Sequence, residues 1–433
     1  MKYKKSKYNV TTCVDRKWII ANTLKGTMIE IEKEEYEIFQ NIDSCDDALI
    51  LSKSELFATM ERVGIILQSQ VDEDKYLKYF YWKTKEDDSI LNITINPSFM
   101  CNLNCQYCYQ NGRSQKEVIS TEILQRIYRF AVSKITKKTR KVMINWFGGE
   151  ALIHIDIFLE FAIKLKEYCN KNDIIYETTI STNGVLLTDK NIEKLKQIKT
   201  VNIQTTLAGN ECDHDKLRPD KNGGGTFKKI IENIKRAKSE IQNILVIVNL
   251  TKTNVGRIED MLDNLKYNGI EDNAYIVFKR VLEYGIEGNR EIVLDIDEYN
   301  QYVYKFSKYA ISIGLTLGNM SNFKPSFINC YSGHKNTYAI DYNGNVFRCI
   351  ERACNESKIG VINCNGQLVD KKNVLHSYFD VFDDPRCYNC SVLPSCGGGC
   401  ISRRAIGEHY CEDFAKDLEN TLKIVYKYHK SKL

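Results

Sequence analysis

Proline is scarce, five in 433 residues, and no stretch repeats another or is of low complexity. Proline-rich spacers and repeat architectures are thereby excluded. No apolar run approaches the roughly 20 residues that cross a bilayer, so no membrane partner is expected. The opening Met1-Lys-Tyr-Lys-Lys-Ser-Lys carries no apolar signal segment, which predicts a cytoplasmic, reducing location. Excess charge is lacking too. The net charge is +5 and the lysines are scattered rather than clustered, so no nucleic-acid partner is expected.

What the chain has in abundance is cysteine, 16 residues of it. In a reducing compartment that number points to metal rather than to disulfides. The cysteines form two fields. The first is Cys101-Asn-Leu-Asn-Cys105-Gln-Tyr-Cys108, with Tyr107 just before the last thiol. Three thiolates packed this closely can reach three corners of one cubane iron–sulfur cluster and leave the fourth iron to a non-protein ligand. A zinc knuckle also uses close cysteine pairs, so spacing alone leaves both open. The surroundings add to the motif. Residues 91–100 alternate apolar and polar before breaking, as a strand feeding a loop does. Gly148-Gly149-Glu150 follows the apolar run 142–147, and glycines there let a backbone approach a ligand. Ser181-Thr182-Asn183-Gly184 and Thr206-Leu207-Ala208-Gly209 end two further strand-like runs, the second followed by His214, Asp215 and Arg218.

These segments resemble the radical S-adenosylmethionine enzymes. The resemblance implies that Cys101, Cys105 and Cys108 hold a 4Fe–4S cluster whose open iron binds the methionine part of S-adenosylmethionine. Electron transfer then splits the sulfonium and yields a 5′-deoxyadenosyl radical that abstracts hydrogen from the substrate. It implies cofactor-binding roles for Tyr107, Gly148, Gly149, Glu150, Ser181, Asn183, Thr206 and Arg218. Two residues depart from the family pattern: Thr206 stands where serine is usual, and Ala208 where aspartate is usual. Threonine keeps a hydroxyl, whereas Ala208 cannot hydrogen-bond through its side chain. Arg218 is the better candidate for the cofactor carboxylate, because a guanidinium matches a carboxylate in a fork.

The second field is Cys330, Cys349, Cys354, Cys364, Cys387, Cys390, Cys396, Cys400 and Cys411, with Gly397-Gly398-Gly399 beside Cys400. A zinc ribbon or a disulfide set is the plainer reading of its close pairs. The whole pattern resembles the SPASM domain of radical enzymes that act on peptides and proteins. By that resemblance Cys387, Cys390, Cys396 and Cys411 hold one auxiliary 4Fe–4S cluster, and Cys330, Cys349 and Cys400 most of another. The implied total is three clusters. Seven ligands leave an eighth to be found: Cys354 is taken first and Cys364 second, and the alternative is an iron left open to a substrate thiolate. Cys13, Cys45, Cys169 and Cys212 are expected to be ordinary packing residues.

Short apolar runs alternate with helical periodicity at 120–138, 153–172, 189–198, 226–241 and 254–269, with Thr226 and Asn254 as expected N-caps. Six strand signals alternating with helices imply a parallel α/β sheet, and the family form is a partial (β/α)6 barrel. The expected domains are 1–88, 89–318 and 319–433. In the first, strands at 9–13, 18–22 and 27–32 precede helices at 33–42 and 53–63, and an aromatic helix at 72–82 is expected to pack on the barrel. This order of elements resembles the winged-helix-like α+β domain with which peptide-maturing enzymes take a leader peptide as an added strand. The last is expected to be a cysteine-rich iron–sulfur domain. The resulting expectation is a maturase of a ribosomally made peptide, installing a thioether, with flavodoxin or ferredoxin as reductant. A carbon–carbon crosslink is the alternative, as is anaerobic sulfatase maturation. Sulfatase-maturing enzymes carry an aspartate just after the second SPASM cysteine; here Ile350 follows Cys349, and Glu351 comes next.

Overall fold

In the computed structural model the two-residue turn Asp15-Arg16 has φ of 52° and 69°. Such a turn matches the twist of an antiparallel pair. It joins β2 (Asn9–Val14) to β3 (Lys17–Asn22), and β4 (Thr27–Ile31) completes an antiparallel meander in the order β2-β3-β4. The short β1 (Tyr3–Lys5) pairs instead with β5 (Ile66–Gln68). Three helices lie between β4 and β5: α1 (Lys33–Gln40), α2 (Asp47–Ser52) and α3 (Ser54–Arg62). Ile20 and Ile31 of the meander pack against Phe39, Phe57 and Met60 of α1 and α3. α4 (Glu73–Lys85) follows. The structure describes residues 2–110, 116–282, 291–318, 320, 323–328, 330–351, 357–370, 380–404 and 410–432. Cys354, the first choice for an eighth cluster ligand, lies outside them.

From residue 88 the strands become parallel. β6 (Ile90–Ile95), β7 (Lys141–Trp146), β8 (Ile175–Ser181), β9 (Thr200–Leu207), β10 (Asn243–Leu250) and β11 (Ala274–Arg280) lie side by side in chain order. Between and after them run α5 (Thr121–Lys134), α6 (Ile155–Lys171), α7 (Asp189–Gln197), α8 (Glu211–Leu217), α9 (Phe227–Glu240), α10 (Ile258–Tyr267) and α11 (Ile296–Ser312). Alternate strand residues are buried and apolar: Leu91, Ile93 and Ile95, then Val142, Ile144 and Trp146, whose indole stacks on Phe158 of α6 at 3.8 Å. The opposite alternation is polar. Asn145 donates to Asn92 at 2.6 Å, and Thr179 donates to Asn145 at 2.7 Å.

The sheet extends further than its six parallel strands. β12 (Thr337–Ile340) adds parallel to the free side of β6, and β13 (Asn345–Phe347), β14 (Lys358–Ile362) and β15 (Leu368–Asp370) continue it antiparallel, making ten strands. The chain accordingly divides into two compact units. One holds 1–87, 319–335 and 375–433, the other 88–318 and 336–374. The stretch 319–433 is thus shared between both.

The first unit is completed by three short helices, α12 (Pro385–Tyr388), α13 (Leu393–Cys396) and α14 (Ile401–Arg404), and by the longer α15 (Leu418–Lys430). Leu422 and Val425 of α15 cover the second face of the meander at Val10, Val14 and Ile19. The aromatics of α4 find their partners in this same unit: Phe80 stacks on Phe327 and Tyr81 meets Phe382 edge-on, while Tyr79 stays exposed. Glu30 of β4 is tied to Lys17 at 2.8 Å and to Tyr426 and Lys430 of α15 at 2.6 and 2.9 Å. The bond from Lys17, then those from Tyr426 and Lys430, push the Glu30 carboxyl down to about 2. A depressed folded value means stability that is full above the unfolded value of about 4.3 and lost as pH falls toward the folded one. Acidification from pH ~4.3 should therefore loosen α15 from β4, as read by amide exchange, and Glu30→Gln should remove that acid limb.

Candidate functional site

The loops leaving β6, β7, β8 and β9 meet at the carboxyl ends of the parallel strands, where parallel sheets offer their crevice. The cysteine loop after β6 is pinned along residues 217–221. Asn104 N–H donates to the Pro219 carbonyl at 2.9 Å, Gln106 N–H to that of Leu217 at 3.0 Å, and Lys221 N–H to that of Asn102 at 3.2 Å. From the other side comes the Gly-Gly-Glu turn. Gly149 N–H donates to Ser98 at 3.0 Å and Glu150 N–H to Met100 at 2.7 Å. A methyl group on Gly149 would run into the carbonyls of Phe99 and Met100, and one on Gly148 into Asn96 and Ser98. The two glycines thus let this turn lie against the cysteine loop, and the N–H groups of Gly149 and Glu150 are spent on it. Gly149→Ala should cost about 1–3 kcal/mol by overpacking, seen as a lower denaturation midpoint, and should loosen cluster retention at the loop.

Glu150 is buried, and its carboxylate accepts from Leu152 N–H at 3.0 Å, the Thr182 hydroxyl at 2.8 Å and Asn183 N–H at 2.6 Å. Burial raises its pKa and these bonds oppose the rise. Its side chain therefore ties the β7 loop to the β8 loop. Asn183, so held, donates to Asn102 at 2.7 Å and to the Cys101 sulfur at 3.7 Å. Ser181 ends β8 and Thr206 lies near the end of β9, both half-buried on the alternation shared with Thr179 and Gln204.

Arg218 is buried beside the cysteine loop, donates from Nη1 to the Tyr107 hydroxyl at 3.3 Å, and its Nε meets no partner among the described residues. Burial works against its charge, but Cys105 and Tyr107 outweigh burial and raise its pKa. A buried guanidinium with an unused donor fits an anionic ligand, as a carboxylate would be. Its backbone is fixed by a relay. Ala208 N–H donates to His214 Nδ1 at 3.2 Å, which leaves the proton of a neutral ring on Nε2, 3.1 Å from the Thr226 hydroxyl; that hydroxyl donates to the Arg218 carbonyl at 2.9 Å. Burial, then Arg218, holds the His214 pKa well down, in keeping with a neutral ring. Thr226 is thereby taken from its expected N-cap role. Asp215 serves instead, accepting from Thr226 and Phe227 N–H at 2.8 and 2.9 Å. Asn254 likewise turns back to cap its own loop, accepting from Thr251 N–H at 2.9 Å. In sequence the sign for His214 and Asp215 is their motif spacing to Arg218, and Thr226 shows only as a helix cap.

Cys101, Cys105 and Cys108 are half-buried. Among the described residues no three Cys, His, Asp or Glu side chains converge on one ion position. A cubane takes each thiolate at a separate iron. Together with the open donor of Arg218, this arrangement fits a cluster carrying an anionic ligand.

The second field separates between the units. Cys387, Cys390, Cys396 and Cys411 belong to the first unit, as do Cys330 and Cys400, and Cys349 belongs to the second. Cys411 acts electrostatically on both Cys387 and Cys390, and Cys390 on Cys396. Gly397, Gly398 and Gly399 all have φ between 61° and 93°. A methyl group on Gly399 would strike the Tyr410 carbonyl, so glycine is what lets the backbone at Tyr410 and Cys411 lie against the turn. Cys400 lies within electrostatic reach of Cys330. Cys364 is exposed between β14 and β15, a poor place for a cluster ligand.

Residues 95–265 match the family model described as the radical SAM superfamily. A cysteine-type anaerobic sulfatase-maturating enzyme of Clostridium novyi is 28% identical over 378 residues, 78% of this chain and 96% of that protein. An uncharacterized protein of Methanocaldococcus jannaschii is 22% identical over 289 residues, 66% of this chain and 92% of its own. Among solved structures, native anSMEcpe with bound AdoMet superposes with a TM-score of 0.62 at 17% identity, covering 79% of this chain and 97% of that one. That likeness is one of fold.

Proposed function

The chain is a radical S-adenosylmethionine enzyme with SPASM-type features, and from that premise we propose that it matures a ribosomally made peptide, joining a cysteine sulfur of the precursor to a carbon of another residue as a thioether. The superfamily implies a 4Fe–4S cluster and S-adenosylmethionine, which when bound supply a 5′-deoxyadenosyl radical for hydrogen abstraction. Cys101, Cys105 and Cys108 hold that cluster. Arg218, with Tyr107 against it, takes the cofactor carboxylate, and Ser181 and Thr206 line the crevice with hydroxyls. Gly148, Gly149, Glu150 and Asn183 shape the loops around it. Two auxiliary clusters occupy the second field, and flavodoxin or ferredoxin serves as the reductant.

The observation that carries a peptide substrate is β4. One edge pairs with β3, and among the described residues the other has no strand partner. An open edge next to a helical layer is the form in which winged-helix-like domains accept a leader as an added strand. A proline at a β4 position whose N–H points away from β3 removes one donor from such a ladder. It should lower precursor affinity while leaving S-adenosylmethionine cleavage in place; unchanged affinity would move recognition elsewhere.

Sulfatase maturation is the second reading, favoured by the 28% identity with the Clostridium novyi enzyme. Against it stands Ile350, buried with Ala339 and Phe347 where that group has its aspartate. Mass spectrometry decides between them. Loss of two hydrogens with loss of one alkylatable thiol in a precursor peptide supports the thioether. Turnover of a sulfatase-derived cysteine peptide alone would replace it.

A further inference from the structure

Arg404, at the end of α14, is 7% exposed, and a buried guanidinium is costly unless its donors are used. Its Nε donates to the Gly398 carbonyl. Its Nη1 donates to Asp384 at 2.9 Å, and its Nη2 stands 2.8 Å from the Cys387 sulfur. Asp384 does not cancel this charge alone, since it also receives a fork from Arg386, at 2.9 Å to each oxygen. Two guanidiniums thus share one carboxylate. Arg386 has a side chain 64% exposed, where water screens it, whereas the Arg404 side chain is 3% exposed. The positive charge felt at the Cys387 sulfur is therefore mainly that of Arg404. Two carboxylates oppose it near the quartet, Asp384 at Cys387 and Glu412 at Cys396.

We infer that Arg404 is a positioning residue that raises the reduction potential of the cluster held by Cys387, Cys390, Cys396 and Cys411, by donating a charged hydrogen bond to the Cys387 sulfur. The inference rests on the reading of that quartet as a cluster site. The quartet fits one: Cys390 N–H donates to the Cys387 carbonyl at 3.0 Å within one turn, Cys411 is within electrostatic reach of both, Cys390 is within reach of Cys396, and the three-glycine turn lets the backbone at Tyr410 and Cys411 lie against it. A one-electron donor adds one negative charge to the cluster, and no bond forms or breaks in that step. A guanidinium on a ligand sulfur stabilises the more negative reduced form over the oxidised form, so it raises the potential. The same bond aims the thiol, because Asp384 caps α12 through Arg386 N–H at 3.0 Å and so links the guanidinium to the helix that carries Cys387. A cluster tuned this way is the better acceptor for an electron leaving the substrate.

The experiment is a dithionite redox titration followed by electron paramagnetic resonance. It uses the full chain with Cys101, Cys105 and Cys108 changed to alanine, so that only auxiliary clusters report. Arg404→Gln should keep iron and sulfide content and move one couple to more negative potential. Arg404→Lys, which keeps the charge without the fork, should restore part of the shift. Unmoved couples with iron retained overturn the inference. Loss of cluster iron from both variants also overturns it and assigns Arg404 to assembly alone. An Arg404-containing protein with no iron at the quartet overturns the cluster reading itself, an outcome separate from either.

Discussion

Changing Cys101, Cys105 and Cys108 together to alanine should abolish S-adenosylmethionine cleavage and leave about eight of about twelve irons per chain. The size of the effect follows from ligand count. A cubane with one open iron has three protein thiolates, and removing all of them leaves nothing to hold it. The fold should survive, because the loop is fixed by other bonds. Asn104 and Gln106 pair with the backbone at 219 and 217, and Glu150 N–H holds Met100. Iron analysis and 5′-deoxyadenosine formation read the outcome together. Cleavage retained in the triple variant would displace the site from this loop. Loss of all iron would show that the two fields depend on one another.

Arg218→Ala should weaken S-adenosylmethionine binding by about ten- to a hundred-fold, the loss of one charge-assisted contact of roughly 1.5–3 kcal/mol. Precursor affinity should barely change. The unused Nε and the 3.3 Å contact to Tyr107 place the guanidinium in the crevice rather than in a saturated ion pair. Arg218→Lys should recover only part of the binding, since an ammonium cannot fork. Equilibrium binding of S-adenosylmethionine to the anaerobic protein checks both variants. Unchanged affinity in Arg218→Ala would leave the residue a structural tie to Tyr107.

The parallel sheet was legible because β10 and β11 are short apolar runs rich in isoleucine and valine, which suit a strand buried on both faces. The cysteine spacing was legible because chemistry constrains it locally. What was not legible depends on contacts distant in sequence. β12 joins β6 across some 240 residues, as Thr337 opposite Asn92 shows, and no local pattern announces such a pairing. The glycines at 148 and 149 read as room for a ligand; that they also make room for the carbonyls of the cysteine loop takes the fold to see. Thr226 looked like a helix cap, but a hydroxyl takes whichever partner the fold brings, here the Arg218 carbonyl, and Asp215 caps instead. The aromatics of α4 read as cover for the sheet. Phe80 and Tyr81 instead find Phe327 and Phe382, which follow them by more than 240 residues.

The most direct measurement is anaerobic reconstitution of the unsubstituted protein, reduction with dithionite, and chromatography of its products with S-adenosylmethionine. The expected result is a brown protein with about twelve irons that forms 5′-deoxyadenosine at a rate the triple cysteine variant lacks. A colourless zinc-bound protein, or an iron-loaded one that leaves S-adenosylmethionine intact, would contradict it.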